Sequence, residues 1–117
     1  MQVHFTGYEL QVLTETLVRH NRELIREIAR TEHREFKQQL QQNLDLLTGL
    51  HGQLLRGELH LSAHEREVLN EVLEASEDAL YFELARTDDR SYKHSLQKDL
   101  ECLEQVHEKI TNPCVAA

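Results

Sequence analysis

An all-α fold, an up-down-up-down four-helix bundle built from two tandem helical hairpins, is predicted by three features of this 117-residue chain. The first is an internal repeat. A shift of 56 residues sets Glu27-Ile28-Ala29-Arg30-Thr31 against Glu83-Leu84-Ala85-Arg86-Thr87. The register runs without a gap from 5–54 against 61–110, with about 17 of 50 paired positions identical. A repeat of this length reads as a supersecondary unit that buries its apolar face against its own copy. The second feature is apolar spacing of three, four and seven residues, the mark of a helical stripe. The third is a scarcity of breakers. The only proline is Pro113, and Gly7, Gly49, Gly52 and Gly57 are the only glycines, so 8–48 and 58–112 run uninterrupted.

Helix one is expected over 6–30, opened by Thr6 with Glu9 three residues later in a capping box. Its stripe is Leu10, Leu13, Leu17, Leu24 and Ile28. The six residues 30–35 hold no apolar side chain, and the stripe resumes out of phase at Phe36. A tight turn at 31–33 follows, with Thr31 as the N-cap of helix two over 32–55. Helix two carries Phe36, Leu40, Leu44, Leu47 and Leu54, and Gly57 stops it. The linker 55–60 leads to Ser62 and Glu65, a second capping box, and to helix three over 62–86 with Leu69, Leu73, Leu80 and Leu84. Thr87 repeats the role of Thr31. Helix four, over 88–111, carries Tyr92, Leu96, Leu100, Leu103 and Ile110, and a tail spans 111–117. One domain results: repeat 5–54, linker, repeat 61–110 and tail. The rival is a pair of continuous helices of about 48 residues in an elongated coiled coil, since neither turn contains Gly or Pro.

Net charge is −8, which opposes attraction to nucleic acid or anionic membrane. No leader opens the chain and no stretch reaches 18 apolar residues, so a soluble, cytoplasmic protein is expected. Cys102 replaces Leu46 of the first copy and reads as a small hydrophobe, while Cys114 lies in the tail. Two such cysteines make no disulfide scaffold, which suits a reducing compartment. No nucleophile elbow, phosphate-binding loop or zinc-ribbon spacing is present, so no enzymatic activity is expected.

Three sets of residues remain as candidate sites. The bundle topology gathers His4, His51, His60, His64 and His107 at one end. His51 and His107 are repeat-related, as are Glu9 and Glu65, and Glu104 stands one turn before His107. Imidazoles and carboxylates from neighbouring helices are what a bundle uses for Zn, Mn or Fe. A di-iron carboxylate site needs two Glu-x-x-His steps, and the first copy has Thr48-Gly49-Leu50-His51 instead. His51 and His107 capping the core beside a glutamate is the plainer expectation. His20, opposite Ser76 in the repeat, reads as a polar core position. The second set is Arg30, Arg34, Lys37, Arg86, Arg90 and Lys93 around the two turns, where basic side chains and helix N-termini can hold an anion. Pairing of Glu27 with Arg30 and of Glu83 with Arg86 is the structural alternative. The third set is Leu46, Leu50, Leu55, Tyr81 and Phe82, apolar residues beyond the need of one core stripe. They suggest a homodimer or protein partner. A self-associating interaction module is therefore the first expectation for function, and a metal- or small-ligand-binding bundle the second.

Overall fold

The computed structural model describes residues 4–57 and 59–111. It consists of α1 (Gly7–Arg30), α2 (Arg34–Leu55), α3 (Ala63–Arg86) and α4 (Arg90–Thr111). These make a four-helix bundle, and every helix boundary in the second half lies 56 residues from its counterpart in the first. Cys114 and the rest of the tail beyond 111 lie outside the described residues.

Both turns are true breaks. Thr31 (φ −87°, ψ 126°) and Thr87 (φ −93°, ψ 127°) are extended, which no continuous helix allows. The threonines do not cap the helices that follow. Thr31 Oγ1 donates back to the Glu27 carbonyl at 2.6 Å and Thr87 Oγ1 to the Glu83 carbonyl at 2.7 Å, satisfying carbonyls that the preceding helix leaves open. His33 and Asp89 take the N-cap role instead. His33 Nδ1 accepts from Phe36 N at 3.3 Å and Asp89 Oδ1 from Tyr92 N at 3.1 Å. Hence α2 and α4 start two residues later than 32 and 88. The capping boxes at Thr6–Glu9 and Ser62–Glu65 close in both directions. Gly57, at φ 76°, supplies the left-handed residue that ends α2, where its N–H donates to the Leu54 carbonyl.

α1 packs along α2 and α3 along α4. The hairpins meet mainly through α1 against α4, and more lightly through α1–α3 and α2–α3. The extents are 44 × 37 × 21 Å. Four parallel-sided helices of about 10 Å diameter would be roughly 20 Å across in both short directions. The 37 Å width, with the sparse contact between hairpins, means that the two hairpins do not lie side by side along their whole length. Burial shows at which end they meet. Leu13, Leu17, Leu47, Leu50, Leu59, Leu69, Leu73, Val106 and Ile110 are essentially inaccessible. At 1.5 Å per residue, each lies within about 15 Å of the end that holds the caps and linker. Leu59 and Leu61, between α2 and α3, are buried there, and Phe5 packs against the same core.

Toward the turns the stripes lose their cover. Leu24, Leu40 and Leu96 are buried, Ile28, Leu80 and Leu84 are half-buried, and Phe36 and Tyr92 are exposed. The expectation that Phe36 and Tyr92 head buried stripes is thus corrected. They stand in the first turns of α2 and α4, about half exposed.

Candidate functional site

At the cap end, the carboxylates expected to hold a metal are committed elsewhere. Glu9 is 4 % exposed. Its Oε1 accepts from Thr6 N at 2.8 Å and from Lys109 Nζ at 2.6 Å, joining α1 to α4. Burial pushes this carboxyl up, but the bonds from Lys109 and the Thr6 N–H outweigh it and hold the group below its usual 4.5. Glu65 Oε1 accepts from Ser62 N at 2.8 Å in the same box geometry.

His107 Nδ1 meets Glu77 Oε1 at 3.1 Å, a partner on α3 that the repeat pairing did not suggest. Glu104 Oε1 accepts from the Tyr81 hydroxyl at 3.5 Å, and its charge raises the Tyr81 pKa. His51 is half-buried on α2. No group of three or more His, Cys, Asp or Glu among the described residues is placed to hold a metal ion. His51, His107, Glu9, Glu65 and Glu104 therefore do not assemble as a ligand set, because cap formation and cross-helix bonds take their oxygens separately.

Positions 53 and 109 share a task that spacing alone did not reveal. Gln53 Oε1 accepts from His60 N at 2.7 Å, and Lys109 Nζ donates to the His4 carbonyl at 3.4 Å. Each side chain, late in its helix, anchors the segment before a capping box. The cap end is a structural seal.

His20 is half-buried on α1, and burial lowers its pKa against the opposing pull of Glu23 and Glu27. Cys102 is a free thiol packed in the core, and burial is the main cause that pushes its pKa up. Tyr8, near the cap end, donates to Asp99 Oδ1 at 2.7 Å, which drives its pKa up to about 12.

At the turn end, Arg30, Arg34, Lys37, Arg86, Arg90 and Lys93 are all exposed. His33 and Asp89 already occupy early N–H groups of α2 and α4. The ion pairs closed among the described residues are Glu77–His107 and Glu9–Lys109, so the expected Glu27–Arg30 and Glu83–Arg86 pairs do not form. Arg86 instead stacks over the Phe82 ring at 5.1 Å.

Between the hairpins runs a groove of about 480 Å³, walled by Arg19 and Thr16 of α1, Leu80 and Glu83 of α3, and Tyr92 and Leu96 of α4. None of the six basic residues lines it.

The apolar set must be redrawn. Leu50 is fully buried, and Leu46 is half-buried against the core, so neither offers a docking surface. Leu50 continues the inward face of α2 one turn beyond Leu47, where the linker roofs it. Leu55, Tyr81 and Phe82 are exposed at 71 %, 53 % and 62 %. Leu55 is isolated at the cap end. Tyr81 and Phe82 belong with Ile25, Phe36 and Tyr92, which are exposed at 55 %, 47 % and 48 %. Counted along their helices, these five lie roughly 27–29 Å from the cap end, at one height on the four helices. Ile25 and Tyr81 are 56 residues apart, as are Phe36 and Tyr92, and exposure matches within each pair. The sequence reading missed Ile25 as a surface residue and took Phe36 and Tyr92 for core.

Comparison with protein-family models, with curated proteins and with solved structures finds no match. No helix among the described residues is long and apolar enough to cross a membrane.

Proposed function

We propose that this chain is a non-enzymatic helical interaction module that binds a protein partner through the apolar side chains exposed at its turn end. The observation that carries the reading is the single level shared by Ile25, Phe36, Tyr81, Phe82 and Tyr92, all exposed. Isolated exposed apolar residues are ordinary on any protein surface, but five large ones at one height, with Tyr81 and Phe82 adjacent in sequence, concentrate apolar exposure at one end in the way an interaction surface requires. The polar groups that could do chemistry support the same reading. Glu9, Glu65 and Thr16 are spent on caps and back-bonds. The free thiol of Cys102 fits a reducing, cytoplasmic setting.

A surface kept for binding contributes little to folding. The double variant Phe36→Ser, Tyr92→Ser should unfold in urea within about 0.5 kcal/mol of wild type, measured by circular dichroism at a concentration where the chain is monomeric. A loss near the roughly 3–5 kcal/mol of a buried aromatic would make these side chains core and sink the reading.

A further inference from the structure

We infer that the groove between α1, α3 and α4 is a binding site for a small organic cation, an ammonium group carried on an apolar body. The site is separate from the contacts of the interaction-module reading and shares only Tyr92 with them. Its origin lies in a difference between the two copies. Where the first hairpin carries His20, Glu23 and Gln39, the second carries Ser76, Ala79 and Ser95. These three short side chains all line the groove. The second hairpin keeps its leucines but lowers its wall. The space left is about 480 Å³. Small-molecule sites run from roughly 300 to 1,000 Å³, so a compact organic ligand fits.

The floor suits an apolar body. Val12, Leu96 and Leu103 are buried there, and Leu80 is half-buried. Thr16, also buried, spends its hydroxyl proton on the Val12 carbonyl at 2.8 Å and offers the groove none.

The wall selects the sign of the ligand. Its charged groups are Glu15, Glu83 and Asp99 against Arg19. Glu15 already accepts from Gln11 Nε2 at 3.4 Å, and Asp99 from the Tyr8 hydroxyl at 2.7 Å. Glu83 is half-buried and joins neither of the ion pairs closed among the described residues, Glu9–Lys109 and Glu77–His107. Counted along their helices, Glu83 and Tyr92 stand at one height, roughly 28–30 Å from the cap end, with Arg19 lower at about 18 Å. A carboxylate and an aromatic ring in one cavity are what an organic ammonium needs: Coulomb attraction from the first and the negative ring face from the second. A carboxylate ligand would meet three like charges. A neutral one would cover Glu83 without pairing it, at a desolvation cost.

Titration of the full chain with n-octylammonium, followed by calorimetry, tests this, with octanol and octanoate as the neutral and anionic controls. Saturable binding at one site per chain is expected, at least about fivefold tighter for octylammonium than for octanol. Octanoate should be the weakest of the three. Glu83→Gln should abolish the preference for octylammonium while the helical circular dichroism is unchanged. Ser76→His with Ser95→Gln gives the second hairpin the side chains of the first, and should fill the groove and weaken octylammonium by at least about fivefold. Phe82→Ala, at the turn end but outside the groove, should leave binding as it is. Absence of saturable binding overturns the inference, and so does equal affinity for octylammonium and octanol. Binding lost in Phe82→Ala but kept in the filled variant would place the ligand on the turn-end side chains and overturn it as well. None of these outcomes decides the interaction-module reading, whose own readout is the urea stability of Phe36→Ser, Tyr92→Ser.

Discussion

At the cap end, Leu59 and Leu61 from the connection between α2 and α3 and Phe5 from the N-terminal segment roof the helices, and Lys109 and Gln53 pin the chain segments that enter α1 and α3. At the turn end, the connections are three residues each, Thr31-Glu32-His33 and Thr87-Asp88-Asp89, with no apolar side chain to lend. The same leucine stripes run through both ends. What differs is the material available to cover them. A long linker supplies a lid for one pole, whereas a tight turn consumes its residues in capping and leaves the aromatic first turns of α2 and α4 in solvent. A bundle of two hairpins joined on one side is thus asymmetric along its axis: one end is sealed and the other is left open.

The largest test of that contrast lies in the core near the cap end. Leu47 and Leu103 are 0 % and 2 % exposed. Truncating either to Ala should cost about 2–5 kcal/mol by urea unfolding, since transfer energy and cavity formation add. A cost below half a kcal/mol at either position would mean that the sealed half is not where the stability resides.

Much of this was legible in the sequence, for reasons tied to particular residues. The gapless 56-residue register and the stripes through Leu13, Leu47, Leu69 and Leu103 predicted four helices because burial enforces helical spacing wherever a core is dense. The boxes at Thr6–Glu9 and Ser62–Glu65 were readable because a cap is a local contact. The turns were placed correctly, but the roles of Thr31 and Thr87 were not. A threonine hydroxyl serves equally well at a helix end or start, and only the extended backbone decides between them. Exposure of Phe36 and Tyr92 was not legible, because periodicity reports which face a residue occupies and says nothing of whether another helix lies against it. The Glu77–His107 pair falls outside the repeat logic. Its equivalent positions are Asn21 and His51, so symmetry pointed elsewhere.

A second test concerns the bond that ties the cap end together. Replacing Lys109 with Met leaves the buried Glu9 carboxylate without its charged donor and should cost about 1.5–3 kcal/mol at pH 7. The pH dependence follows from Glu9's lowered value. A carboxyl held below 4.5 when folded stabilises the protein above that pH, and the stabilisation is lost as pH falls through the lowered value. In Lys109→Met the pull of the ammonium is gone and only the Thr6 bonds oppose the burial that pushes Glu9 up, so the variant gains relative to wild type on acidification. The two stability curves should converge below pH 4.5. Parallel curves down to pH 3 would place the effect of Lys109 in its packing over Phe5, at 5.8 Å, rather than in its bond to Glu9.

The smallest expected effect is the most pointed, because it falls on the most exposed aromatic side chain of the open end. Phe82 is 62 % exposed, and its visible partner is the Arg86 guanidinium 5.1 Å above the ring. An exposed cation–π contact is worth about 0.5–1 kcal/mol. Alanine is the better helix former than phenylalanine, by a few tenths of a kcal/mol, and offsets part of that loss. Phe82→Ala should therefore change the monomer's unfolding free energy by less than about 0.5 kcal/mol, whereas a buried phenylalanine would lose roughly 3–5. Adding Arg86→Ala distinguishes the two sources of any residual loss: if the stacking matters, the double variant costs less than the two single changes together. Should Phe82→Ala alone cost several kcal/mol in the monomer, the turn end would be closed rather than open. The contrast between the two poles would then have to be abandoned.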